Sequence, residues 1–179
     1  MIGNIAMKLN INLSNYNIIL GSKSPRRKEI LNKMGINFKI KYIDFNEKAD
    51  LSKSIEDIAE SISLQKSNEF NKLNKNDILI CADTIVAVEN EIFGKPKTKQ
   101  EAFEMLSKLS GKRHKVITGV TIKSNKKTKI FHETTFVSFK KLNEDEINYY
   151  IEKYNPLDKA GAYAIQEWIG LVGIKKIEG

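Results

Sequence analysis

The chain has one cysteine, Cys81, and two histidines in 179 residues. A single thiol excludes an intrachain disulfide and fits a reducing compartment. His114 and His132 lie far apart in sequence, and Cys81 reads as a small core residue, so nothing points to zinc. Long apolar runs are also missing, and no stretch reaches the roughly 18 residues of a membrane helix. The opening MIGNIAMKLNINLSNYNIIL has no basic segment followed by a long apolar block, so no signal peptide is expected. There is no repeat with a period of about 20 to 50 residues and no low-complexity linker. These absences predict one cytoplasmic domain over residues 1–179, with no membrane partner.

What is present suits an ordered globular chain: 41% hydrophobic and 29% charged residues. A net charge of +8 invites a nucleic-acid reading. The lysines, however, are spread along the chain among abundant Asn and Ile. The longest basic clusters, Lys112-Arg113-His114-Lys115 and Lys126-Lys127, are short and lie near expected turns. The charge is read as a solvated surface that attracts anionic ligands, and no nucleic-acid partner is expected.

Apolar periodicity alternates between strand and helix. Asn17 to Leu20 reads as a buried strand ending at Gly21. Ser24 then caps a helix with Pro25 in its first position and Gly35 after its end, with Ile30, Leu31 and Met34 on one face. Phe38 to Ile43 is a second strand candidate, followed by a polar loop with Asp44, Glu47 and Asp50. Ser54 and Asp57 open an amphipathic helix that runs toward Phe70 and Leu73. Residues 77–88 form a β-rich run, and Asn90 marks a turn before Glu91-Ile92-Phe93. Thr98 and Glu101 start a helix stopped by Gly111. Val116, Thr118, Val120 and Ile122 share one strand face, paired across Ser124-Asn125-Lys126 with Ile130 to Phe139. Asn143 caps a helix carrying Ile147, Tyr150 and Ile151. A loop follows from Asn155 to Gly161, and Leu171 to Ile174 is the last strand candidate. The pattern predicts a single-domain α/β fold with a mixed, twisted sheet flanked by helices. Ligand groups are expected in the crevice beyond the strand ends.

Four constellations carry chemistry. Gly21-Ser22-Lys23-Ser24-Pro25-Arg26-Arg27 runs from a strand into a helix N-terminus, where backbone N–H groups and the dipole favour a phosphate. Arg26 and Arg27 oppose that dipole, a poor choice for stability alone but apt for fork-shaped contacts to phosphate oxygens. Asp83, beside Thr84 in an apolar strand, is costly to bury unless hydrogen-bonded or holding a cation. It is a candidate metal ligand or general base, against the plainer reading of a strand residue facing water. Glu47 offers a second oxygen, and Mg²⁺ needs only one or two carboxylates plus substrate phosphates. Lys95, in Gly94-Lys95-Pro96, sits in a turn where an amine can neutralise developing phosphate charge, or simply be solvated. Asp158 to Gln166 (DKAGAYAIQ) combines small residues with Gln166, whose amide offers a donor and an acceptor to a base edge.

In order along the chain, GSKSPRRKEIL, Glu47, Lys66 in a helix, CADTIV, FGKP, LSGKRHKVITGV and DKAGAYAIQ resemble the Maf-like nucleotide pyrophosphatases. The resemblance implies a Maf/inosine-triphosphatase-like fold with a nucleotide cleft, and hydrolysis of a nucleoside triphosphate to monophosphate and pyrophosphate. It makes Asp83 the proton acceptor for the attacking water. It places Ser24, Arg26, Arg27, Glu47, Lys66 and Lys95 around the phosphates and a divalent cation, Mg²⁺ or Mn²⁺, with Glu47 and Asp83 as metal ligands. Arg26, Thr84 and Gln166 match the dTTP/UTP subgroup. Alternatives are 7-methyl-GTP or another purine triphosphate as substrate, or a nucleotide-binding regulator of cell division. A homodimer is a candidate assembly. Two departures stand out: Glu167 and Trp168 follow the glutamine where a glycine is usual, and the chain stops at Gly179, short of an expected C-terminal segment. Alternation along a strand would turn Glu167 away from the side that Gln166 faces.

Overall fold

The structure, a computed structural model, describes residues 13–89 and 91–179. The opening segment and the turn expected at Asn90 lie outside the described residues. Among those described, seven strands form one mixed sheet in the order β2-β1-β3-β5-β6-β7, with β4 on β3. Strands β1 (Asn17–Leu20), β2 (Phe38–Ile40) and β3 (Asp77–Val88) run parallel at one side. β4 (Glu91–Phe93), β5 (Arg113–Lys123), β6 (Thr128–Phe139) and β7 (Ile174–Glu178) pair antiparallel. The twelve-residue β3 is the hinge of this arrangement. Its first half pairs with β1 as far as Ile80, β4 takes the same edge from Val86 on, and between them Cys81 to Ile85 have no partner strand on that side.

Helices cover both faces. α2 (Ile55–Asn68) lies on one, where Ile58, Ala59 and Ile62 pack on Ile85 and Ile117. The contact is close because Gly119 has no side chain; a Cβ there would overlap the carbonyl carbon and oxygen of Ala59. Ser63 and Thr121 share a buried hydrogen bond of 2.7 Å along the same seam. On the other face α3 (Lys99–Leu109) and α4 (Glu144–Tyr154) enclose the larger core with Val86, Val137, Phe139, Leu106, Leu109 and Tyr150.

The helix starts follow their caps. Ser24, Ser54, Thr98 and Asn143 each accept a hydrogen bond from the residue three positions on. Asn143 and Glu146 close a reciprocal capping box. α1 (Pro25–Lys33) buries only Leu31. Ile30 and Met34, expected beside it, are 54% and 45% exposed, so the apolar face of α1 is covered at Leu31 alone. β2 ends at Ile40, short of Ile43, because the polar run after it leaves the sheet. α2 ends at Asn68; Phe70 and Leu73 pack from the following loop onto Ile19, Leu79 and Cys81. In β5 Ile117, Gly119 and Thr121 are buried under α2 and His114 is buried toward the other core, while Val116, Thr118, Val120 and Ile122 are half-buried on the face opposite α2. The expected strand at Leu171 to Ile174 is instead the short helix α5 (Trp168–Gly173), and β7 begins only at Ile174. A four-residue apolar run has too little periodicity to separate the two.

Candidate active site

The cleft forms where β1 stops and β3 continues. Gly21 N donates to Ile80 O as the last rung of that ladder, at 2.8 Å. A Cβ on Gly21 would lie 2.5 Å from the Sγ of Cys81, so the turn into α1 needs glycine to pass β3 this closely. Carbonyls on one edge of a strand recur every second residue, so the next open acceptor is Ala82 O. Arg27 takes it through Nη1 at 2.8 Å. The same guanidinium donates to Ser22 Oγ at 3.2 Å and to Thr84 Oγ1 at 3.1 Å. Arg27 thus occupies the ladder position that a longer β1 would have filled. Burial pushes its pKa down, opposed by the nearby charge of Asp83.

Alternation along β3 sends Asp83 to the α2 face and Thr84 to the other. Thr84 Oγ1 also shares a 3.1 Å hydrogen bond with Thr118. On the α2 face Lys66 reaches two carboxylates at once: Nζ lies 2.5 Å from Asp83 Oδ1 and 3.0 Å from Glu47 Oε1. Helical spacing explains the reach, since Ala59, Ser63 and Lys66 line the α2 side that meets β5 and β3. Glu47 is brought in by Gln65, whose amide donates to Lys48 O at 2.9 Å and accepts from Lys48 N at 3.2 Å. Gln65 pins the 41–54 loop one residue before Lys66, a role with no sequence signal because it depends on where that loop returns. Asp83 Oδ2 makes no hydrogen bond to any described residue.

Glu47, Asp83 and Lys66 therefore form one cluster, with Arg27 beside it and Ser24 and Arg26 at the mouth. Ser24 Oγ is first a helix cap, accepting from Arg27 N at 3.5 Å. Arg26, half-exposed, pairs with Asp158 at 3.4 Å. Lys95, exposed after β4, and Gln166, exposed in a turn, make no hydrogen bond or ion pair with the cluster among the described residues. Their segments do approach one another: Gly161 N donates to Gly94 O at 3.0 Å, and Gly161 takes a positive φ against Val86.

Gln166 and Glu167 do not lie in a strand, so period-two alternation does not apply to them. Gln166 is in the turn before α5. Glu167 points inward, accepting from the Tyr150 hydroxyl and lying 3.3 Å from Lys159 Nζ.

Among the described residues, no three His, Cys, Asp or Glu side chains gather as a metal cage. Glu47 and Asp83 nevertheless offer hard oxygens around a point that the Lys66 ammonium now holds. That donor set fits Mg²⁺ or Mn²⁺, which complete their shells with phosphate and water, and does not fit a soft-ligand metal. An ammonium between two carboxylates marks the place where positive charge is stabilised.

A mixed α/β sheet whose crevice sets two arginines and a lysine against two carboxylates defines a single-domain protein with a charged cleft at the end of its parallel strands. The chain belongs to the Maf family: the model described as Maf-like protein matches residues 17–179. It is 43% identical over 172 residues to a dTTP/UTP pyrophosphatase of Bacteroides thetaiotaomicron, covering 94% of this chain and 88% of that one. It is 48% identical to the dTTP/UTP pyrophosphatases of Cytophaga hutchinsonii (93% of this chain, 77% of that one) and Christiangramia forsetii (93% and 86%). The Ham1 protein structure of Staphylococcus aureus aligns at TM-score 0.45 and 16% identity over 87% of this chain and 90% of its own, and no assignment rests on it.

Proposed function

We propose that the protein hydrolyses nucleoside triphosphates, dTTP and UTP foremost, to the monophosphate and pyrophosphate. The relatives named for that activity support the reaction. The observation in this chain that carries it is the convergence of Glu47 and Asp83 on one cation position beside Arg27.

The triphosphate lies along the α1 N-terminus, where the first-turn amides and Arg26 meet its oxygens. Arg27 is held rigidly by β3 and presents fixed positive charge, so little reorganisation accompanies the reaction. Glu47 and Asp83 would hold Mg²⁺ or Mn²⁺, which would screen phosphate charge and make a nearby water more acidic. Lys66, released from the carboxylates, turns to phosphate oxygens. Asp83 Oδ2 takes the proton of the attacking water as the new P–O bond forms. The bond between the α- and β-phosphates breaks, and pyrophosphate leaves against Lys66, Lys95 and the arginines.

In this reading Gln166 pairs with the O4 and N3–H edge of uracil or thymine, its amide offering one donor and one acceptor. Glu167 bears on the alternative substrate: both of its oxygens are engaged by Tyr150 and Lys159, so it supplies no acidic partner for a cationic 7-methylguanine. The cytoplasm, where nucleotides and Mg²⁺ are abundant, is the matching compartment; no helix among the described residues is long and apolar enough to cross a membrane.

Pyrophosphate release from dTTP, UTP, CTP, ATP, GTP and 7-methyl-GTP, with Mg²⁺ or Mn²⁺, tests the reading. The expected result is highest kcat/KM on dTTP and UTP, and a fall in kcat of roughly 10²–10⁴ in Asp83→Asn with nucleotide still bound. A preference for 7-methyl-GTP overturns the substrate, and turnover of Asp83→Asn within a few-fold of wild type removes Asp83 as the base.

A further inference from the structure

Lys159 is 6% exposed, and a buried ammonium persists only where carboxylates meet it. Two do. Its Nζ lies 2.7 Å from Asp158 Oδ1 and 3.3 Å from Glu167 Oε1. Asp158 turns its other oxygen to Arg26 at 3.4 Å, and Glu167 takes its second bond from the Tyr150 hydroxyl. Tyr150 is fully buried in α4, and its hydroxyl oxygen also accepts from Ala164 N at 3.2 Å. A continuous polar chain therefore joins Arg26 in α1, the 158–167 segment and the core of α4. Gln166 sits inside this chain's span, exposed and without a hydrogen bond to any described residue. Its turn is fixed from both sides, by Ala164 and by Glu167.

We propose that Glu167 is a positioning residue for base selection, clamping the Gln166 turn onto Tyr150 and Lys159 at a set height above the phosphate cradle. The inference rests on the pyrophosphatase reading for its substrate. An unclamped turn still carries Gln166, but its amide then samples many positions and pairs poorly with a base edge. The phosphate end stands on α1, α2 and β3, and its link to the clamp is the Arg26–Asp158 pair, a partly exposed contact weakened by solvent screening and not anchored on Tyr150. Loss of the clamp should therefore appear at the base end of the nucleotide and not at the phosphate end.

Glu167→Gln keeps the shape and an acceptor for Tyr150 while removing the charge that Lys159 needs. Tyr150→Phe keeps the ring in the core and removes the donor. Both are compared with wild type for kcat and KM on UTP and GTP, and for competitive inhibition by inorganic pyrophosphate. The expected result is a KM for UTP raised about tenfold, a UTP-over-GTP preference reduced by a similar factor, and a pyrophosphate inhibition constant within about twofold. Undiminished preference in both variants overturns the proposal. So does equal weakening of UTP and pyrophosphate, which would mean a damaged cradle. If Glu167→Gln fails to fold, Tyr150→Phe decides alone. A wild-type chain that releases no pyrophosphate sinks the catalytic reading instead. Calorimetric binding of UTP against GTP then tests the clamp, with the same loss of preference expected and its absence overturning it.

Discussion

Arg26 and Arg27 stand in one helical turn yet hold different partners. Arg27 bridges Ser22, Ala82 and Thr84 and ties α1 to the open edge of β3. Arg26 makes one exposed pair with Asp158. Removing Arg27 leaves the Ala82 carbonyl unpaired in a half-closed site, a cost of about 1–3 kcal/mol. Removing Arg26 forfeits an exposed pair worth at most about 1 kcal/mol. Arg26→Ala and Arg27→Ala should each lower kcat/KM for UTP by about tenfold to a hundredfold, the scale of a charge-assisted bond to phosphate. Only Arg27→Ala should also shift the urea midpoint clearly downward. Equal stability of the two variants would show that the β3 contacts of Arg27 hold nothing in place. This division was not legible in the sequence, where both arginines read simply as first-turn cations. What separates them is that β1 stops at Leu20, so one guanidinium completes a ladder and the other faces solvent.

At the scale of elements, the helices were legible because capping is local: a Ser, Thr or Asn side chain meets an amide three residues on, whatever the rest of the fold does. The Asp77–Val88 strand was legible for a similar reason, its length and apolar content leaving no rival reading. The α5–β7 end was not, because a short glycine-containing apolar run takes its conformation from what it packs on. In the site, Asp83 was legible as a carboxylate in an apolar strand and Glu47 as a second oxygen in a polar loop, Lys66 was named only through the family resemblance, and the structure brings the three to one point. Gln65, Asp158, Lys159 and Tyr150, which position their neighbours, depend on tertiary contacts that no spacing encodes. The α2–β5 seam offers the sharpest test at this scale. Gly119→Ala adds one methyl group that overlaps the backbone of Ala59, so α2 must move outward and carry Lys66 with it. Overpacking of this kind costs about 1–3 kcal/mol. Lower Tm and lower kcat should appear together in this variant. Unchanged values of both would mean that α2 has slack, and that the position of Lys66 is set from elsewhere.

For the molecule as a whole, the two faces of the sheet divide the labour, with the charged cleft bordering α2 and the larger apolar core under α3 and α4. That core contains a titratable group the proposed reaction does not use. His114 is 2% exposed, edge-on to Phe139 and Tyr163, with Nε2 2.7 Å from the Tyr163 hydroxyl. Its Nδ1 is buried without a partner among the described residues. Burial lowers its pKa from 6.5 to about 4. The folded chain thus keeps the imidazole neutral where the unfolded chain would protonate it. As pH falls below about 6.5 the unfolded state takes up a proton that the folded state refuses, and stability drains away until about pH 4, where both are charged. Integrated over that window the loss is on the order of 3 kcal/mol, a large part of the margin of an ordinary domain. His114→Phe keeps an aromatic ring in the site but leaves the Tyr163 hydroxyl unpaired, so it should be less stable than wild type at pH 7. Between pH 6.5 and 4, however, its unfolding free energy should fall less steeply, by about one proton's worth. Carboxylates titrate near the acid end in both chains and cancel in the difference. Denaturant unfolding at half-unit steps of pH gives the two slopes. Parallel curves would mean that His114 is protonated in the folded core and that the acid sensitivity of the protein lies elsewhere.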